Sequence, residues 1–244
     1  MTSPAGPRVL PLLLSCVCIA LLLALGVWQL ERRAWKHMLI AQVSARVDAP
    51  AVAPPGPAQW PGLNLANAEY RHVRVTGHFL PPQTLVRDTT EFGTGFWAMQ
   101  PFRSDDGFTL LINRGFVPDD VKTDAAEGGQ ATVTGLLRMS QPGGRFLMPN
   151  VPAEGRWHSR DVRAIAAQDR LGDVAPYFID AAALPAQTWP RGGLTVLTFV
   201  DNHLIYAITW FGMALGLAIA SVRILYVGPH RRLDDTMAAR SGRL

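Results

Sequence analysis

The sequence predicts a membrane protein in which two transmembrane helices flank a mostly antiparallel β domain, a small barrel or curved sheet with one short helix. Three observations lead there. Val9–Leu30 holds no charged residue in 22 positions, and Leu204–Val222 holds none in 19. At ~1.5 Å per residue these runs are roughly 33 and 28 Å long, matched to a hydrocarbon core of about 30 Å. Between them the hydrophobic period falls to two, the pattern of half-buried strands. The mean hydropathy of +0.11 is modest, so the apolar residues are concentrated in those two runs rather than spread over many spans.

Residues 1–8 form a short N-terminus ahead of the first membrane helix, 9–30. Ala24-Leu25-Gly26 offers the small residues of a signal-peptide cleavage site. The apolar run is nevertheless longer than an ordinary signal core, so it reads as a retained anchor. Residues 31–48 are amphipathic and helix-compatible and extend that helix past the membrane surface, with Trp28 and Trp35 suited to an interfacial belt. Residues 49–65 follow as a Pro-rich linker. Five prolines within Ala49–Gly62 predict a semi-extended segment rather than core.

Residues 66–200 read as five or six short antiparallel strands. They are RHVRVTGHFL, QTLVRDTT after Pro81-Pro82, GFWAMQPFR from Gly95, FTLLINRGFV from Phe108 and ATVTGLLRMS from Ala131. Asp105-Asp106-Gly107 joins the third and fourth as a hairpin. Gly77 and Gly135, each inside a strand pattern, mark bulges or barrel-type bends. Asp161 caps a helix, VRAIAAQDRL, that ends at Gly172. PYFIDAAAL is a further strand, and TVLTFV leads into the second membrane helix, 201–227, with a basic tail at 228–244.

Net charge is +3 over residues 1–48, −1 over 49–200 and +2 over 201–244. The near-neutral middle domain removes any argument for nucleic acid from the overall basic balance. Arg223, Arg231, Arg232, Arg240 and Arg243 mark the side behind the second helix as cytoplasmic by the positive-inside rule. Arg32, Arg33 and Lys36 behind the first helix vote the other way. Following the C-terminal cluster puts both termini in the cytoplasm and the β domain outside. Cys16 and Cys18, the only cysteines, are two apart on a helix and point about 200° from each other, so they are apolar fillers and not a metal grip.

No nucleophile elbow, zinc-protease helix, Walker loop or dinucleotide fingerprint is present, and the chain reads as a non-enzyme. The sharper signal opens the second helix, DNHLIYAITWF. His203 is a metal-competent imidazole at a bilayer boundary, where an unpaired polar group is costly. His203, Tyr206 and Trp210 share one helical face at i, i+3 and i+7. That face suits a flat iron macrocycle, with the imidazole as axial ligand and the rings packed on it. The bland alternative is a histidine that bonds to headgroups, backbone or Asp201. His37 is a remoter second ligand. Gly212, Gly216 and Ala220, with Cys16, Ala20 and Ala24, form small-residue ridges that would let the two helices pack on each other or on a partner complex.

In its segments LGVWQLERRAWK from Leu25, VRVTGHF from Val73, INRGFVP from Ile112, VTGLLR from Val133 and NHLIYAITWFGMA from Asn202, the chain resembles the surfeit-locus-one family, the Shy proteins of yeast. Phe116 stands where many members have Trp, and residues 42–64 match nothing. The resemblance implies an assembly factor for haem-copper cytochrome c oxidase, with subunit I and other assembly factors as partners. It places the chain in a bacterial cytoplasmic membrane, or a mitochondrial inner membrane if eukaryotic. It implies haem a as a transient cofactor, with His203 as metal ligand and Trp28, Gln29, Tyr206 and Trp210 nearby. Arg114 and Gly115 match a family motif and read as structural or partner-facing, with Arg114 also a partner for a haem propionate. The competing reading is a cofactor-free scaffold.

Overall fold

A computed structural model describes residues 9–126, 129–185, 189–195 and 201–241. The chain divides into two compact units. One comprises residues 1–41 and 198–244, the other residues 42–197.

The second unit is a β domain. Its strands are β1 (His72–Phe79), β2 (Thr84–Thr90), β3 (Gly93–Ser104), β4 (Thr109–Pro118), β5 (Ala131–Met139) and β6 (Val174–Ala181). Their order is β1-β5-β6-β4-β3-β2, and β1 also pairs with β3. Five strands therefore close on themselves, and β2 lies outside the ring, against the first half of β3. Closure happens at Gly77, which pairs with Ala131 of β5 and also with Ser104 of β3. A Cβ there would lie 2.0 Å from the Arg103 carbonyl oxygen, so the corner admits only glycine. Gly135 sits equally close to the Asp180 carbonyl where β5 meets β6. Both glycines are thus places of tight backbone approach, as expected of barrel bends.

The sheet is mostly antiparallel, as expected; one ladder, β4 with β6, runs parallel. The crossover between them includes β5 and the Asp161-capped helix α3 (Val162–Gln168), which follows α1 (Val9–Val47) and α2 (Leu65–Ala68) in the chain. Parallel neighbours with both faces covered read as unbroken apolar runs. That is why Leu110, Leu111 and Ile112, and likewise Tyr177, Phe178 and Ile179, are all fully buried. One face of these strands lines the barrel interior with Val73, Val75, Phe102, Val133 and Leu137. The other packs Leu111 and Phe178 with Trp97, Trp157 and Ile165 of α3.

Asp161 caps α3 by accepting from the Ala164 N–H at 3.1 Å, as expected. The helix is shorter than expected: it stops at Gln168 because Arg170 and Gly172 both take positive φ. Residues 49–65 are also not a free linker. Pro54 and Pro55 are buried, and the Pro55 carbonyl accepts from Tyr177 Oη (2.7 Å) and Trp60 Nε1 (3.0 Å). Trp60 packs edge-on against Phe108. The prolines stiffen a plug over one end of the barrel core. Residues 196–200 of the segment TVLTFV, expected to lead into the second membrane helix, lie outside the described residues, as does the N-terminal stretch 1–8.

Hydrogen bonds hold the Asp88 carboxyl below the ordinary aspartate range. Partial burial pushes it up, but donation from Trp97 Nε1, Arg145 and the Thr89 N–H outweighs this. A depressed carboxylate stabilises the fold above its unfolded pKa of about 3.9 and loses that contribution as pH falls through the folded value. Asp88→Asn is expected to flatten the decline in thermal stability between pH 5 and pH 3. Melting curves followed by near-ultraviolet dichroism check this.

Candidate functional site

The first unit holds α1 (Val9–Val47) and α4 (His203–Ser241). Two helical stretches, Leu10–Val47 and His203–Ile224, are long and apolar enough to cross a membrane, their most apolar 18-residue windows having mean hydropathies of 2.7 and 1.8. α1 is one continuous helix through the apolar run and its expected amphipathic extension. Its less exposed positions are Leu12, Ser15, Ile19, Leu22, Gly26, Gln29, Arg33, Lys36, Ile40 and Val43. On α4 they include His203, Ala207, Trp210, Ala214, Leu217 and Ser221. Both sets step by three and four, the spacing of a heptad seam.

Contacts along that seam are antiparallel. His203 Nδ1 lies 2.7 Å from Gln29 Oε1. One turn on, Asp201 Oδ2 accepts from His37 Nε2 at 2.7 Å and Arg33 Nε at 3.3 Å. In the other direction Gly26 faces Phe211, whose ring would lie 2.5 Å from any Cβ. Gln29, Arg33 and His37 are spaced i, i+4, i+8 and so present three polar groups on successive turns. The helices do pack on each other, as expected, but not through the small-residue ridges. Gly212 and Gly216 face open space, and Cys16 and Cys18 are exposed.

Of the five expected site residues, the fold joins His203 to Gln29. Gln29 Oε1 can only accept, so Nδ1 is the ring nitrogen that donates in this contact. Asp201 bonds the His203 backbone N–H at 3.0 Å, not its ring. Trp210 lies on the seam, and its buried Nε1–H has no acceptor among the described residues. Trp28 and Tyr206 are half-exposed, at positions off the seam. His37 is occupied by Asp201. The clasp of Arg33, His37 and Asp201 went unrecognised in the sequence, although the i, i+4 spacing of its two α1 members was legible.

In the β domain, Arg114 donates through Nη1 to Gln83 Oε1 (2.8 Å), Gln100 Oε1 (3.1 Å) and the Asp124 carbonyl (2.9 Å). This pins the loop after β4, a structural role. Gly115 has φ +135° and lies against Arg191, whose backbone pairs in both directions with Phe116.

The family model described as "SURF1 family" matches residues 16–215, most of α1, the whole barrel and the first part of α4. The chain belongs to the SURF1 family. It is 34% identical over 216 residues to Surfeit locus protein 1 of Homo sapiens, covering 78% of this chain and 69% of that protein. Identity to the Mus musculus protein is 35% over 212 residues, with 78% and 67% covered. The SURF1-like protein of Monosiga brevicollis is 32% identical over 211 residues, 78% of each chain. Within this SURF1-family chain, the matched region includes Gln29, His203 and the Asp201 clasp.

Proposed function

We propose that this SURF1-family protein is a membrane-anchored assembly factor for haem-copper cytochrome c oxidase that holds haem a while subunit I matures. The observation that carries the haem reading is the His203–Gln29 pair. Gln29 fixes the Nδ1–H tautomer and ring direction, and Nε2 is left with the lone pair that an axial ligand requires. Haem iron would accept that lone pair. Trp210, whose buried N–H has no acceptor among the described residues, and the half-exposed Tyr206 and Trp28 supply aromatic surface on the adjoining turns. The donor chemistry therefore fits the group.

A multi-pass arrangement with both termini in the cytoplasm is supported by the basic residues that follow the second apolar run, from Arg223 to Arg243, against the vote of Arg32, Arg33 and Lys36. A second reading has an observation in its favour. His203 and Asp201 already have protein partners on α1, so they serve equally as a clasp in a cofactor-free scaffold.

An absorption spectrum separates the two. Protein solubilised from cells that make haem a is expected to show a Soret band, and His203→Ala to lose at least about nine-tenths of it. Gln29→Ala, which frees the ring to turn, is expected to shift the band and weaken it. A colourless wild type that still supports oxidase assembly would leave the scaffold reading in place.

A further inference from the structure

We propose that Phe146–Met148 forms a membrane-contacting finger, which enters the headgroup–acyl boundary of the bilayer and holds one mouth of the barrel against it. This rests on the reading of α1 and α4 as membrane anchors, and not on the haem reading.

The finger is a two-residue turn. The Arg145 N–H donates to the Met148 carbonyl and the Met148 N–H to the Arg145 carbonyl, both at 2.9 Å. That leaves Phe146 and Leu147 at the tip, 88% and 85% exposed. No other large apolar side chain among the described residues is as exposed, those on α1 and α4 included. Leu147 takes φ +62°, a conformation that suits glycine or asparagine and disfavours a bulky residue. A leucine there gains nothing for the fold, so its apolar surface is what the position supplies.

The base is firmly built. The Gly144 N–H donates to Ser159 Oγ, and Asn150 Oδ1 accepts the backbone N–H groups of His158 and Ser159. Arg145 is ion-paired with Asp88 at 2.7 Å.

Lipid is the occupant that fits. Arg145 lines one cavity together with Thr89–Glu91 and Gly192–Thr195, so the finger rises from the mouth at which the chain leaves the barrel. Five residues separate Thr195 from Asp201 in the sequence, so that mouth lies close in the chain to the second apolar run. The same mouth carries Phe92 edge-on to Trp189, with the Arg191 guanidinium 4.9 and 5.1 Å from the two ring centroids. Rings with a guanidinium on top match the boundary between acyl chains and phosphates. A tip of three side chains is far smaller than the ~800 Å² that a specific protein partner covers. Insertion into lipid needs no shape complementarity.

The test uses full-length protein with Cys16→Ala and Cys18→Ala, reconstituted into phosphatidylcholine–phosphatidylglycerol vesicles. One variant adds Phe146→Cys and another adds Asp106→Cys, in the turn at the opposite end of β3. Each carries the same fluorophore. Quenching by lipids with a nitroxide near the headgroup is expected to be at least twofold stronger at 146 than at 106, and quenching by iodide at least twofold weaker. Adding Leu147→Asn, which suits the φ, is expected to leave the melting temperature unchanged or raised while halving the lipid quenching at 146. Equal iodide access at the two sites, in vesicles that retain the protein through alkaline carbonate, would overturn the finger. So would lipid contact at 146 that appears only when another protein is added. Release of the protein by carbonate would instead overturn the anchoring on which the finger rests.

Discussion

Asp180→Asn is expected to destabilise the barrel by about 3–5 kcal/mol, the usual result of removing one partner from a buried ion network. Asp180 is 6% exposed and accepts from Asn113 (2.8 Å), Arg138 (3.0 Å), Arg160 (3.1 Å) and Thr195 (3.0 Å). Arg138 has a second carboxylate in Glu69, at 2.6 Å. Arg160 has no other acidic partner at that distance among the described residues, and burial already lowers its pKa against the pull of Asp180. The neutral amide keeps the shape but leaves Arg160 desolvated and uncompensated. A domain of this size should melt about 10 °C lower, read by near-ultraviolet dichroism in detergent. Arg160→Gln placed in the Asp180→Asn background is expected to recover part of the loss, because it removes the stranded charge. A full-strength loss persisting in the double variant would show that the cost lies elsewhere.

Gly115→Val is the second large effect. A Cβ at Gly115 would stand 2.2 Å from the Arg191 carbonyl oxygen, on a residue with φ +135°. Here β4 has parted from β6, and the strap of residues 189–195 fills the opening. The Phe116 N–H donates to the Arg191 carbonyl and the Arg191 N–H to the Phe116 carbonyl, both at 2.9 Å. The Gly193 N–H donates to Ala181 at 2.8 Å. A side chain at 115 expels the strap, combining backbone strain with overpacking, at roughly 2–4 kcal/mol. Amide exchange at Phe116 and Arg191 should accelerate at least tenfold, and cleavage after Arg191 by trypsin should begin. Gly115→Ala should give the same signs with smaller values.

Much of the fold was legible because its strands punctuate themselves. The Asp105-Asp106-Gly107 turn, the alternation in Val73, Val75 and Phe79 and the Asp161 cap are local signals, and each marks the element it appears to mark. What escaped was long-range. Nothing in PYFIDAAAL distinguishes a parallel partner from an antiparallel one, since a strand buried on both faces shows no alternation. The prolines of residues 49–65 read as linker because stiffness is visible in sequence, whereas the docking of Pro55 on Tyr177 is not.

The helix site divides in the same way. His203 stood out by chemistry and position, and Gln29 by resemblance. The Arg33–His37–Asp201 clasp needed the register of two helices that are 164 residues apart in sequence. The small-residue ridges misled for the converse reason: a glycine pattern reports that close approach is permitted and not that it occurs. Gly26, outside either ridge, is the one in contact.

The strap has a consequence for biogenesis. Strands β1 to β5 can assemble around one another as the polypeptide emerges, but the wall stays open until β6 inserts beside β4, and its last gap is sealed only by the amides of Phe116, Arg191 and Gly193. A nascent chain halted before residue 189 would therefore display the edge of β4 beyond Asn113, bare and ready to pair with a stranger.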